Sequence, residues 1–148
     1  MTTSELALLD TNILVYAADE MSEFHAAAKQ LRDRGVQGDI PVAVSPQILF
    51  EFFAVITNPR RVTQPRSPQE AREEMEKYVQ SPAIRKIYPG EDIIDRVLTL
   101  LQQHPQITRQ DIFDCLLVAT MQTHGIRRIH TYNRQHFTTF ADIEILTP

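Results

Sequence analysis

The sequence predicts an α/β protein with a central, mainly parallel sheet and helices on its faces. Short apolar, strand-like runs alternate with longer helical segments along the chain, which is the order expected of parallel strands joined by helices. The helical segments begin and end at capping signals, and no repeat or linker divides the chain. With 148 residues and 43% apolar content, the chain suits one domain with a buried core. We therefore predict a single domain over residues 1–148, with residues 1–5 as a flexible start.

The first half of the chain contains two predicted strands and three predicted helices. Ser45 before Pro46 is a favoured helix opening, and the later segment Ser67–Glu70 matches a capping box. The predicted elements are, in order, a buried strand that passes into a loop or helix (Leu6–Ala18), a helix closed by Gly35 (Phe24–Arg34), a short strand (Val42–Val44), a helix (Pro46 to about Thr57) and a helix that starts at the capping box.

The second half continues the alternation. Its predicted elements are a short strand (Ala83–Tyr88), a helix (Glu91 to about Gln103), a helix ended by Gly125 (about Gln110 to His124) and two last strands (Arg128–Thr131 and Ile143–Leu146). Parallel sheets bind ligands outside the carboxyl ends of their strands. Asp10 lies where the first strand should end, so we expect it at that edge of the sheet.

Composition excludes several classes of protein. No apolar run approaches the roughly 20 residues that a membrane span needs, and the polar N-terminus has no secretory pattern, so a cytoplasmic location is expected. The net charge of −4 argues against a protein that holds nucleic acid through a large basic surface. It leaves room for an enzyme that binds nucleic acid briefly. The single Cys115 is expected to be a buried structural residue.

Three acidic residues occupy positions where an apolar residue is expected. Asp10 follows four apolar residues, Glu51 is the only polar residue of 48–56, and Asp114 is the only charged residue of 112–119. A buried carboxylate must be paired, hydrogen-bonded, protonated or bound to a metal. No cation lies within these segments, although an arginine from elsewhere could still pair with any one acid. For all three together we favour a shared divalent ion, Mg²⁺ or Mn²⁺, because these hard cations take oxygen ligands.

Two polar residues accompany Asp10. Asn12 could direct its carboxamide toward the same site or stabilise a turn. Thr11 could bind a phosphate or cap the following helix. The sequence leaves both pairs of alternatives open.

Two further candidates lie near the other motifs. Asp111 shares a helical face with Asp114, but Thr108 and Asp111 also have the spacing of a capping box, which we favour. Asn133, after the strand that ends at Thr131, could support a metal-bound water or form an ordinary turn.

Basic residues and histidines give weaker indications. Arg60, Arg61 and Arg66 lie just beyond the Glu51 helix, so they are our first candidates for phosphate contacts, although exposed arginines are most often solvated surface. The histidines share no ligand spacing with a cysteine or with one another, so a zinc site is not predicted.

The ordered set of motifs resembles the PIN-domain family, especially the VapC-type toxins of bacterial toxin–antitoxin pairs. The match covers nearly the whole chain. Its motifs are Leu8–Tyr16 around Asp10, Glu51 with Val55–Arg60, Phe113–Thr120 with His124 and Gly125, and Thr131–Asn133 with Phe137 and the closing Pro148.

This resemblance implies a three-layer α/β/α fold, dependence on Mg²⁺ or Mn²⁺, endoribonuclease activity, a homodimer and a small antitoxin partner. It assigns Asp10, Glu51 and Asp114 to the acidic cluster, with Thr131 in the C-terminal motif. Many relatives carry a fourth acid where this chain has Asn133, so a one-metal site is the prediction here. The expected reaction is hydrolysis of an RNA phosphodiester in a single-stranded or loop region.

Two alternatives remain at this point. A phosphatase of the haloacid dehalogenase type would use Asp10 as its nucleophile, but such sites want a second aspartate where this chain has Asn12. A domain that only binds RNA or a protein partner is favoured by the amide at Asn133.

Overall fold

The computed structural model describes residues 5–148, so the predicted flexible start at 1–5 lies, except for Glu5, outside the described residues. The chain forms five strands: β1 (Ala7–Leu9), β2 (Val42–Val44), β3 (Arg85–Lys86), β4 (Arg128–His130) and β5 (Glu144–Leu146). Its six helices are α1 (Thr11–Ala18), α2 (His25–Gln37), α3 (Pro46–Ile56), α4 (Pro68–Val79), α5 (Ile93–Gln103) and α6 (Asp111–Thr123), and a short 3-10 helix covers Arg134–His136.

The strands form one sheet in the order β3-β2-β1-β4-β5, and every neighbouring pair is parallel. From β1 the chain moves outward to β2 and β3, then returns to the other side of β1 to add β4 and β5. Because crossovers between parallel strands are right-handed, this reversal puts the helices before β4 on the opposite face from those that follow β1 and β2. The predicted α/β architecture, a parallel sheet between two helical layers, is confirmed.

The core lies on both faces of the central strands. All three residues of β1 and of β2 are buried, and the continuous apolar run of each is typical of a parallel strand covered on both sides. Cys115 is fully buried in this core, as predicted. None of the described helices is long and apolar enough to cross a membrane.

Two predicted helix boundaries were wrong. The second helix does not close at Gly35: it runs on to Gln37 and ends at Gly38, whose φ of 85° is left-handed. Gly35 is needed for packing instead, because a Cβ there would lie 2.6 Å from Val42 Cγ2 of the neighbouring strand β2. In α6, the capping position is Gln110, which makes no side-chain cap bond, so the capping box predicted from Thr108 does not form.

The remaining differences concern the lengths of elements. Strand β3 has two residues rather than the six predicted, and α5 begins two residues later than expected. The capping box of α4 is present, with Ser67 and Glu70 each bonded to the other's backbone N–H. Ser45 caps α3 ahead of Pro46, as predicted.

Candidate active site

The site lies where the direction of strand addition reverses. Strands β1 and β4 are neighbours whose connections leave to opposite faces of the sheet, and such a switch point opens a crevice at the carboxyl ends of the strands. Asp10 directly follows β1 and Thr131 directly follows β4, so both residues lie at the carboxyl ends of these strands, at the crevice. The Asp10 position expected from the sequence is therefore correct.

Asp10 is held by three donors. One carboxylate oxygen accepts the Thr11 backbone N–H at 2.8 Å, which caps α1. The other oxygen accepts the Thr131 hydroxyl at 2.7 Å and the Asn12 amide at 3.1 Å. Asp10 is only 8% exposed. Burial raises the pKa of Asp10, while the bonds from Thr131 and Thr11 oppose that rise and the nearby Glu51 adds to it.

Thr131 and Asn12 tie the two strand ends together. The buried Thr131 hydroxyl, besides donating to Asp10, accepts from the Asn12 amide at 3.1 Å and from the Asn133 backbone N–H at 2.9 Å. The Asn12 carbonyl oxygen accepts the Tyr132 backbone N–H at 3.0 Å. Asn12 therefore supports Asp10 by hydrogen bonding, and its amide cannot serve as the second acid that a haloacid dehalogenase-type phosphatase requires.

Glu51 points into the same crevice from α3. Its two carboxylate oxygens accept the Thr11 hydroxyl at 2.9 Å and the Gln47 amide at 3.1 Å. The Gln47 amide also donates to the backbone carbonyl of Phe113 at 3.0 Å, which joins α3 to the start of α6. Sequence reasoning missed Gln47; its spacing of four residues from Glu51 was the available signal, because it puts both on one helical face.

Asp114 enters from the first turn of α6 and is less constrained. Its side chain is 25% exposed, and one oxygen lies 3.4 Å from His136 Nδ1. Burial raises the pKa of Asp114 from 3.8 to about 6; His136 opposes the rise, and the neighbouring carboxylates of Asp10, Asp111 and Glu51 add to it. His136 is a second residue that the sequence did not identify, since no spacing linked it to the acidic motifs.

The acids share one cleft of about 690 Å³. Asp111 and Asn133 line it beside Asp10, Glu51 and Asp114. Asp111 is thus a neighbour of the acidic group rather than a capping residue. No lysine or arginine forms an ion pair with any of these acids within residues 5–148, so the pairing alternative considered from the sequence is not what the structure shows.

The three candidate arginines have different positions. Arg61 lines the acidic cleft. Arg60 is exposed, and its backbone N–H donates to the side-chain oxygen of Asn58. Arg66 donates from its guanidinium to the backbone carbonyl of Ala18 at the end of α1 and lines a separate, small depression. Of the three, only Arg61 lines the acidic cleft, whereas Arg66 is bonded to the end of α1, and phosphate contact by any of them stays a prediction.

The donor set of the cleft suits a hard divalent cation. Its candidate ligands are carboxylate oxygens. Burial and, to a smaller extent, the neighbouring carboxylates raise the pKa values of Asp10 and Asp114, and a bound cation would stabilise the ionised forms of both groups. Within residues 5–148 no three acidic, histidine or cysteine side chains already stand together as a metal-binding group. Mg²⁺ usually takes only one or two protein carboxylates and completes its shell with water and substrate oxygens.

Comparison with known proteins gives one consistent family. The family model of the PIN domain matches residues 7–143. Ribonuclease VapC24 of Mycobacterium tuberculosis is 30% identical over 141 residues, covering 95% of this chain and 94% of the relative. Ribonuclease VapC43 of the same species is 35% identical over 83 residues, covering 56% of each chain.

Solved structures show the same fold. The crystal structure of Mycobacterium tuberculosis VapC20, described as a Sarcin-Ricin loop cleaving toxin, aligns with a TM-score of 0.66 at 17% identity, over 91% of this chain and 95% of that one. VapBC2 of Rickettsia felis, solved bound to a DNA fragment from its promoter, aligns with a TM-score of 0.65 at 15% identity, over 97% and 98% of the two chains.

Proposed function

Because this chain belongs to the PIN-domain family, we propose that it is a metal-dependent endoribonuclease, the toxin of a VapC-type toxin–antitoxin pair. The observation that carries the proposal is that Asp10, Glu51 and Asp114, from three separate elements, line one cleft at the switch point of the sheet. The relatives that match along almost the whole chain are named ribonucleases. An acidic cleft with one arginine at its wall also fits a substrate whose phosphates are brought in by a cation.

Asp10 and Asp114 are the proposed direct ligands of one Mg²⁺ or Mn²⁺ ion. Asn133, an amide in this cleft, adds no negative charge, which favours one ion over two. When bound, such an ion would lower the pKa of a water molecule and withdraw charge from the phosphoryl oxygens. Glu51, whose oxygens accept from Thr11 and Gln47, would bind the ion through water or orient the attacking water.

The protein's own residues orient the reaction. Thr11 and Gln47 fix the Glu51 carboxylate from two sides, so its free lone pairs keep a constant direction toward an attacking water. A positioned carboxylate of this kind accepts a proton as the water attacks phosphorus. Arg61, on the cleft wall, would hold a phosphate oxygen of the strand. The bond between phosphorus and the 3′ oxygen then breaks.

The partners are also part of the proposal. Solved relatives include a toxin–antitoxin complex from Klebsiella pneumoniae, which supports a small antitoxin as the partner of this chain. A homodimer agrees with the exposed apolar side chains Ile94 and Leu98, which are four residues apart on one face of α5, since exposed apolar patches mark protein contacts. The cytoplasmic location expected from the sequence is part of the same proposal.

The test is cleavage of an RNA panel by the purified chain freed of any antitoxin. We expect cleavage with Mg²⁺ or Mn²⁺, loss of cleavage with chelator, and a loss of at least about a hundredfold for Asp10→Asn. Asp39→Asn is the matched control, because Asp39 is an exposed residue remote in sequence from every acidic motif. Cleavage that survives chelator or Asp10→Asn would refute the proposal.

A second candidate is a catalytically weak domain that binds RNA or a protein partner. The amide of Asn133 at the cleft favours it. Titration with Mn²⁺ separates the two: RNA binding without any divalent binding would support the binding module.

A further inference from the structure

The acidic cleft continues into a second cavity that the proposed chemistry does not use. This cavity measures about 270 Å³ and shares three of its lining residues, Asp111, Asp114 and His136, with the acidic cleft. Arg61 lines the acidic cleft but not this cavity. The groove therefore has Arg61 with Asp10 and Glu51 in one part, Asp111 and Asp114 at the junction, and the second cavity beyond them.

The walls of the second cavity have a different chemistry. Beyond the three shared residues, its lining is uncharged: Gln106, Ile107, Gln135, Thr139 and Phe140. The side chains of Gln106 and Gln135 are exposed and carry amides that can both donate and accept. A phosphate in this cavity would face Asp111 and Asp114 with no lysine or arginine in the lining, so the cavity does not suit the charged backbone of a nucleic acid.

An uncharged, flat ligand part fits better. Ile107 and Phe140 supply apolar contact, and the amides supply hydrogen bonds at the edge, which is the combination found in pockets that orient small ligands. The volume of about 270 Å³ lies just below the roughly 300 Å³ at which pockets for drug-sized ligands begin. The cavity thus has room for one base with its ribose.

The amides also connect the two walls of the cavity. Gln106, in the loop after α5, donates to the hydroxyl of Thr139 at 3.2 Å, in the segment after the 3-10 helix. Gln135 lies on that 3-10 helix, next to His136. A base that enters between them would meet donors and acceptors from both walls, and glutamine amides pair well with the edge of a base, adenine in particular.

We propose that this cavity is a nucleoside subsite, which holds the unpaired base next to the scissile phosphate through the amides of Gln106 and Gln135. The inference rests on the proposed nuclease function and adds to it a position at which the substrate is read. The RNA strand would lie across the acidic side chains, with its phosphate toward Arg61 and one base beyond Asp114. Such a subsite requires a substrate whose base is splayed out of a helix, because stacked bases do not enter a side cavity.

The test measures binding rather than cleavage. Single-stranded RNA decamers, each lacking the base at one position in turn, are titrated against two proteins by fluorescence anisotropy with Mg²⁺ present. Both proteins carry Asp10→Asn, which removes cleavage from the measurement, and one also carries Gln106→Ala and Gln135→Ala. The protein that carries Asp10→Asn alone is the parent, and the protein with the two added alanine substitutions is the double alanine variant. We expect one position in the RNA at which loss of the base weakens binding to the parent about five- to tenfold. Loss of the same base should leave binding to the double alanine variant unchanged.

Gln122→Ala is the matched control, because Gln122 is an exposed glutamine of α6 that lines neither part of the groove. It should keep the parent's sensitivity to the missing base. The subsite is overturned if base loss costs the parent nothing at any position, or if it costs the parent and the double variant equally. Failure of the RNA panel to be cleaved by the unaltered chain would instead refute the nuclease, and the two results are independent.

Discussion

Replacing Thr131 by valine tests whether the buried hydroxyl network holds the ionised form of Asp10. Thr131 is fully buried, and valine keeps its shape while removing the hydroxyl. The substitution deletes a short bond of 2.7 Å to a carboxylate, and bonds to charged groups contribute about 1.5–3 kcal/mol each. It also leaves the Asn133 N–H and one amide hydrogen of Asn12 without their acceptor. Adding about 1 kcal/mol for these donors, we expect Thr131→Val to lower the free energy of unfolding by about 2.5–4 kcal/mol.

The cost should depend on pH. Burial raises the pKa of Asp10, and the Thr131 bond opposes that rise, so Thr131→Val should raise the pKa further. The cost should be larger at about pH 7.5 than at about pH 4.5, because the ionised fraction of Asp10 is larger at the higher pH and protonation makes the lost bond a neutral one. Urea unfolding at the two pH values, without divalent ions, measures both quantities.

Thr120→Val is the matched control. Thr120 is also buried, but its hydroxyl donates to the Leu116 carbonyl of its own helix at 2.9 Å. That carbonyl is an ordinary helix acceptor, so its loss should cost about 1 kcal/mol or less at either pH. Equal costs for the two substitutions at about pH 7.5, or a Thr131→Val cost that does not change with pH, would refute the claim that this hydroxyl stabilises the Asp10 carboxylate.

Three further predictions follow from the same geometry. The pKa of Asp114 is raised from 3.8 to about 6, so the stability that its protonated form contributes is complete below pH 3.8 and is lost as pH rises through 6. Because the ionised carboxylate is the form that binds a cation, the rise in Tm on adding Mn²⁺ should grow from about pH 5 to about pH 7.5. An equal rise at both pH values, or the same growth in Asp114→Asn, would contradict this. Gly35→Ala should lower the free energy of unfolding, measured with urea, by about 1–2 kcal/mol, because the new Cβ would lie 2.6 Å from Val42. An unchanged urea midpoint would show that β2 can shift to make room for the methyl group. Arg61→Ala should raise KM for RNA about tenfold with little change in kcat, whereas Arg66→Ala should lower Tm and leave KM unchanged; the reverse pattern would exchange their roles.

The parallel fold could be predicted because its signals are local. Buried parallel strands are short apolar runs, and Ser45 with Pro46 marks a helix start without reference to the rest of the chain. Asp10, Glu51 and Asp114 could be identified because a charged residue in an apolar segment is visible in the sequence itself. The same reliance on local signals caused the wrong helix end at Gly35. A glycine after a helical segment looks like a helix end, and only the distance of Gly35 from Val42 shows that it is a packing residue.

The family resemblance named Thr131 as a supporting residue, but its contact with Asp10 could not be predicted, because the two residues are 121 positions apart in the sequence. Gln47 was missed altogether, since its bond to Phe113 spans 66 positions and a glutamine in a helix is ordinary in the sequence. The same holds for His136, whose relation to Asp114 depends on how the 3-10 helix lies against α6.

The acids of the cleft are unequally restrained, and this difference has a consequence for cation binding. Asp10 and Glu51 have their oxygens fixed by neutral donors from the protein, so their positions are set by folding alone. Asp114 has a side chain that is 25% exposed, and the nitrogen nearest to its carboxylate within residues 5–148 is His136 Nδ1, at 3.4 Å. A cation that arrives at Asp10 therefore meets one ligand already in place and a second that can still rotate. A bound ion would order Asp114, which together with His136 lines both parts of the groove.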